Sequence, residues 1–308
     1  MGLRAGKIGI AFVLLAAVAL AATGLDGQAP ARPKVLGVAY VMFKTTNVEK
    51  AKAFYGGELG LASGDATNAD PAAQAVFVVN RYQHAVLVKT APGTAGSYLA
   101  EIGIATDDLL RMWKYLTAKG VSVTAIRPRL NGSHYFEMQD PENNKIAFVE
   151  RPIGGNPGPA AMGAVSHKVI HTGLVVKDRA AMDRFYADIL GCHVYWHGGM
   201  KEGETNWVDM QMPDGTDWIE YMLNVPANAD QRTLGVMNHV ALGVTDIHAA
   251  ARQIEQNGGK LTEQPKIGRD GKWQLNMYDP DETRVELMEF TPTEKPCCAT
   301  YTGPNPKP

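Results

Sequence analysis

From about residue 35 onward the chain alternates between short runs of every-other-residue apolar character and stretches with helical spacing. VIHTGLVV (169–176) alternates as a strand. Asp178 then caps a helix through Met182, Phe185, Tyr186 and Ile189, which Gly191 ends. HVALGV (239–244) opens the same sequence again, with Asp246 as cap, Ile247, Ala250, Ala251 and Ile254 on the apolar face, and Gly258 or Gly259 as stop. Further strand patterns follow each helix: TNWVDMQM and DWIEYML after the first, WQLNMY and TRVELMEF after the second. Each unit reads βαβββ.

The pattern is duplicated. Ala39 to Leu61 returns as Ile170 to Cys192 at a constant offset of 131, so Phe54, Tyr55, Leu59 and Gly60 fall on Phe185, Tyr186, Leu190 and Gly191. Asp140-Pro141 returns as Asp279-Pro280 at an offset of 139. The expected architecture is α+β, with four βαβββ modules in two domains, 35–150 and 167–291. A Gly/Pro/Ala-rich linker (151–166) joins them, and a Pro-rich tail (292–308) is expected to lie over the surface or to be disordered.

Residues 1–30 read as an export signal. Arg4 and Lys7 precede an uncharged run from Ile8 to Ala22, whose 15 residues fall short of a spanning helix at ~20. Cleavage near Ala21 or Ala22 and a periplasmic location are expected, with an uncleaved anchor as the alternative. That segment is the only expected association with a membrane. The 30 basic residues nearly balance 32 acidic ones and form no stripe, so nucleic acid is not expected as a partner. A small-molecule substrate is, with the protein a monomer or homodimer. Cys297 and Cys298 are adjacent and hard to bridge. Pairing of one of them with Cys192, or with another chain, is possible, and no structural role is the expectation.

Four strand-borne residues carry the candidate chemistry: His171, Glu220, His239 and Glu286, at spacings of 49, 19 and 47. A single histidine in an apolar strand is most often a core residue. A buried carboxylate needs a cation or a metal, and the His-then-Glu order occurs twice. Two imidazoles with two carboxylates suit one divalent ion such as Zn, Ni, Co, Mn or Fe(II).

Paired βαβββ units, helices ending FYxxxLG, a DP turn before the last strand and ligands on the first and last strands together resemble the vicinal oxygen chelate superfamily. This is the group of glyoxalase I, bleomycin resistance proteins and extradiol dioxygenases. The resemblance implies cupped, mostly antiparallel sheets with the metal inside the cup. The corresponding positions of the first domain are Tyr40, Val86, Ala100 or Glu101, and Ala147, so that domain is expected to be metal-free; His84 shares a strand face with Val86.

The second domain is most similar to glyoxalase I, in its His-Glu-His-Glu set and in YDPDETRVELME. Asn224 matches a glutathione-holding asparagine of that family, while Val175 and Glu282 depart from its arginine and DPDG glycine. Extradiol enzymes place a tyrosine where Asn276 stands. The function implied is a metal-dependent lyase or isomerase moving a proton next to a carbonyl, with Glu220 or Glu286 as base. The alternatives are an extradiol-type dioxygenase or a small-molecule or drug-binding protein. Trp196, Trp207, Trp218 and Trp273 are open between pocket wall and core.

Overall fold

The computed structural model describes residues 31–66, 70–129, 133–151 and 161–308; the expected export segment and most of the expected linker lie outside the described residues. In the first half, β1 (Val35–Thr45), β2 (Ala62–Gly64), β3 (Ala73–Asn80), β4 (Gln83–Lys89), β5 (Leu99–Thr106), β6 (Arg127–Pro128), β7 (His134–Gln139) and β8 (Lys145–Glu150) form one sheet in the order β2-β3-β4-β1-β5-β8-β7-β6. The second half repeats that order with β9 (Val169–Val175), β10 (His193–Gly198), β11 (Trp207–Gln211), β12 (Trp218–Met222), β13 (Val240–Val244), β14 (Lys266–Ile267), β15 (Trp273–Tyr278) and β16 (Arg284–Glu289). In each sheet the two modules meet through an antiparallel central pair, β1 with β5 and β9 with β13. The crossover pairs β1/β4, β5/β8, β9/β12 and β13/β16 are parallel. The architecture is therefore α+β, with two curled sheets built from four modules.

The helices follow their capping residues. α1 (Val48–Lys52), α2 (Leu109–Ala118) and α3 (Arg179–Asp183) begin after Asn47, Asp108 and Asp178, whose side chains accept from the backbone N–H three residues on. α1 and α3 widen into π-helical turns over Ala53–Glu58 and Arg184–Ile189, which carry the repeated Phe-Tyr pair inward. α4 (Gln231–Met237), capped by Asp230, was not expected from the sequence; α5 (Ile247–Gln256), capped by Asp246, was.

Each helical layer is buried against a module of the other half. One core joins Phe43, Phe54, Tyr55 and Phe77 to Val240, Ile254 and Leu287; another joins Phe136, Phe148 and Leu116 to Met182, Phe185 and Tyr221. Burying such side chains contributes about 1.5–3 kcal/mol each. With these faces turned toward one another, the opposite faces of the sheets remain for the cups.

The tail lies over the surface of the second domain. Ala299 and Tyr301 pack on a cluster containing Tyr195, Trp196 and Trp218, and Thr302 N–H donates to Tyr195 O at 3.0 Å. A tilted ring contact of Tyr301 on Tyr195, with centroids 4.6 Å apart, holds it there. The cysteines depart from expectation: Cys297 and Cys298 are disulfide-bonded to each other, and Cys192 is free and buried beside Met212.

Candidate metal centre

Strand periodicity places the polar groups. On β11, Val208 and Met210 enter the core while Trp207 and Asp209 face the cup; on β12, Ile219 and Tyr221 enter the core while Trp218 and Glu220 face the cup. β15 and β16 divide in the same way, with Leu275, Met277, Val285 and Leu287 in the core and Gln274, Asn276, Arg284, Glu286 and Met288 toward the cup. These residues, with His171, line a cavity of about 290 Å³.

His171, Glu220 and Glu286 from that lining, and His239 next to them, each offer a ligand atom, all within 4.8 Å of one another. His171 Nε2 is 3.1 Å from His239 Nε2 and 3.5 Å from both Glu220 Oε2 and Glu286 Oε2. His239 Nε2 is 3.1 Å from Glu220 Oε2 and 3.4 Å from Glu286 Oε2. His239 stands just before β13, where α4 delivers it: Asn238 ends that helix, accepts from Val175 N–H at 3.1 Å and donates to Leu234 O. The His239 ring directs Nδ1 at Met237 O, 3.1 Å away, an arrangement that leaves Nε2 for the centre. Gly173 makes room for that ring, since a Cβ there would lie 2.1 Å from His239 Cε1.

The donor set fits a divalent ion on two grounds. Burial holds His171 below the ordinary histidine range, so the ring is neutral and its lone pairs are available. Burial also pushes Glu286 up, but Arg284 and the two histidines outweigh it and hold the carboxyl well below the usual carboxylate range; the histidines act likewise on Glu220. Burial pushes the neighbouring Asp209 and Asp270 up, so Glu220 and Glu286 are the carboxylates held in the ionised form at the centre. Arg284 Nη2 lies 2.8 Å from His239 Nε2 and 3.9 Å from Glu286 Oε2, so its position and any ion there are linked.

Several groups escaped the sequence reading. Asp209 sits opposite Glu220 in the β11/β12 register, is 5% exposed, and its Oδ1 has no hydrogen-bond partner. It gave the same signal as Glu220, a carboxylate in an apolar strand, and was legible on that ground. Asn276, already singled out as standing where extradiol enzymes place a tyrosine, lies opposite Glu286 and lines the cavity. Lys272 is fully buried, with Nζ 4.8 Å from the Trp218 ring and 5.2 and 5.0 Å from those of Tyr195 and Tyr301. Trp218 is thereby packed between Lys272 and His171, whose ring centroid is 4.7 Å away. Nothing local in GRDGKW announces that cage.

Of the other sequence candidates, Trp196, Trp207 and Trp218 line the cavity, whereas Trp273 packs on the core and against His248, an exposed α5 residue. Asn224 is exposed, sits in the left-handed region (φ 62°) and donates to Thr205 O at 3.0 Å, outside the cavity lining. Its side chain closes a loop. In the first domain the register sets Glu101, rather than Ala100, at the third position. There the Tyr40 hydroxyl donates to Glu101, Lys145 Nζ bridges Glu101 and Glu137, and His84 stacks on Tyr40. Among the described residues the second cup alone brings together a group of metal-ligating side chains.

The comparisons with known proteins agree with this geometry. The model of the Glyoxalase/Bleomycin resistance protein/Dioxygenase superfamily matches residues 37–148 and again 168–287. Among curated proteins the chain is similar to lactoylglutathione lyase of Haemophilus influenzae, 26% identical over 129 residues, covering 41% of this chain and 96% of that protein. It is also similar to a probable lactoylglutathione lyase of Synechocystis sp., 28% identical over 123 residues, covering 39% and 94%. Among solved structures, the 2,3-dioxygenase LapB from Pseudomonas sp. KL28 aligns with a TM-score of 0.65 at 17% identity, over 88% of this chain and 99% of that one. Homoprotocatechuate 2,3-dioxygenase from Brevibacterium fuscum aligns with a TM-score of 0.63 at 20% identity, over 90% and 75%. At such identities the structural likeness speaks for the fold. One family model accounts for both sheets, and the chain belongs to the Glyoxalase/Bleomycin resistance protein/Dioxygenase superfamily.

Proposed function

We propose that the protein is a divalent-metal-dependent lyase or isomerase of glyoxalase type, moving a proton next to a carbonyl of a small oxygen-chelating substrate. The observation that carries this reading is the convergence of two imidazoles and two carboxylates within 4.8 Å, with His171, Glu220 and Glu286 lining the cavity. An ion held by His171, Glu220, His239 and Glu286 would act as a Lewis acid toward two adjacent substrate oxygens. Glu220 suits the role of base better than Glu286. Its side chain is 13% exposed against 5%, and Glu286 is held by Arg284 as well as by both histidines. The Glu220 carboxylate takes the proton from one carbon and returns it to the neighbour, which requires its contacts to the histidines to loosen. The indoles of Trp196, Trp207 and Trp218 keep water from the exchanging proton.

Elemental analysis of the purified protein tests this. One Zn, Ni, Co or Mn per chain, lost in His171→Ala and in Glu220→Ala, is expected. Turnover of α-carbonyl substrates should fall about 10²–10⁴-fold in Glu220→Gln; unchanged turnover would sink the assignment. Two further readings have distinct outcomes. The likeness in fold to extradiol dioxygenases over most of the chain favours an oxygenase, for which iron would persist without Glu220 and catechols would consume O2. A stoichiometric ligand without turnover would make the cup a binding site.

We also propose export by residues 1–30, cleaved near Ala21 or Ala22, and domain limits at 35–150 and 167–291. N-terminal sequencing of the mature protein checks the first, and limited proteolysis the second.

A further inference from the structure

Behind the cavity wall, the tail carries chemistry that the metal centre does not use. Cys297 and Cys298 are disulfide-bonded neighbours, the first half-buried and the second exposed, with Cys298 in the left-handed region at φ 73°. This turn is tied to two residues that line the cavity, Trp196 and Arg269. Cys297 N–H donates to Arg269 O at 2.8 Å, the Trp196 indole donates to Cys297 O at 3.2 Å, and Arg269 Nη2 stands 3.8 Å from Cys298 Sγ. Its flanks are tied to the same loop. Thr293 and Glu294 N–H both donate to Gly271 O, and the Tyr301 hydroxyl donates to Asp270 O at 2.7 Å. Gly271, at φ 82°, admits the strap only because it has no side chain: a Cβ would lie 2.3 Å from Glu294 O.

We propose that Cys297–Cys298 is a thiol–disulfide exchange site for small thiols or dithiols, and that its oxidation state sets how firmly the tail clamps Trp196 and the Arg269–Gly271 loop onto the cavity. A bond between neighbouring residues closes a small covalent ring and restricts the backbone inside it; once open, the turn regains conformations that compete with the three contacts to the wall. The exchange balances as a two-electron reduction. An incoming thiolate attacks Cys297 Sγ, the sulfur–sulfur bond breaks, and Cys298 leaves as a thiolate beside the Arg269 guanidinium, which stabilises it. A second thiolate attacks the mixed disulfide and releases Cys297. Both freed sulfurs take up the protons given up by the incoming thiols, and the reductant departs as its disulfide. None of the candidate metal ligands takes part, so this proposal stands or falls apart from the metal reading.

The test uses the full chain, alkylated under native conditions before and after dithiothreitol, with mass analysis and tryptophan emission. Expected are no adducts before reduction and two after, both on the peptide containing Cys297 and Cys298, with Cys192 protected until denaturation. Emission should shift to the red on reduction and return on reoxidation; Trp196→Phe should abolish that response. The double variant Cys297→Ser, Cys298→Ser should be fixed at the reduced emission and ignore dithiothreitol. Adducts before reduction would overturn the proposal, as would identical emission and tail proteolysis in the oxidised and reduced protein.

Discussion

The Tyr55 hydroxyl donates to Asp279 Oδ2 at 3.2 Å, joining a helix of the first half to the DP turn of the second. Tyr186 repeats the contact in reverse, on Asp140 of the first half at 3.3 Å. The repeated FY and DP motifs are thus the two sides of one interdomain contact, made twice. Asp281 extends one copy to Thr45 and Thr46, and Glu142 extends the other to the Lys177 and Asp178 N–H groups. We expect Tyr55→Phe and Tyr186→Phe each to cost about 1–2 kcal/mol in urea unfolding, because a buried carboxylate oxygen loses its donor. A change within error for both would show the contacts to be incidental.

Burial pushes Asp279 up to about 7. In the unfolded chain an aspartate titrates near ~3.9, so between those values the folded state binds the extra proton. Folding is therefore favoured by acid: the contribution is fully present below about pH 4 and is lost as pH rises through 7, with a ceiling of roughly 4 kcal/mol. Stability of the wild type should fall from pH 5 to pH 8 more steeply than that of Asp279→Asn. Parallel profiles would refute it.

Gly173 is a position where one methyl group matters. In Gly173→Ala the new Cβ would stand 2.1 Å from His239 Cε1 and Nδ1, and the ring must swing away. Weakened metal uptake is expected, with at least a tenfold loss of affinity by titration, while the far-UV spectrum stays that of the wild type. Unaltered affinity would mean that His239 is dispensable to the centre.

Lys272 is the buried cation behind the wall, and burial lowers it to about 8. Asp270, pushed up by burial to about 7, and Asp209, pushed up likewise, lean on its charge. Lys272→Met removes the ammonium from between Trp218, Tyr195 and Tyr301, and should destabilise the fold by about 3 kcal/mol at pH 8. At pH 5 Asp270 carries a proton and the loss should shrink. An equal loss at both pH values would indicate that packing, not charge, is what Lys272 provides.

Much of the molecule was readable in one dimension. Alternation along β11, β12, β15 and β16, the asparagine and aspartate caps, and the offset of 131 are local or repeat properties, and they lead directly to four modules and to His171, Glu220, His239 and Glu286. A strand's period of two decides which side a residue faces whatever its partner. Tertiary structure alone decided which module each helix packs against, because apolar faces of similar shape carry no address. It also decided that the tail lies on Tyr195 and Trp196, that Lys272 is enclosed by rings from three separate segments, and that Asn224 turns away from the cavity. Those outcomes depend on groups distant in sequence competing for the same space and the same hydrogen bonds, a competition resolved only once the two sheets have packed.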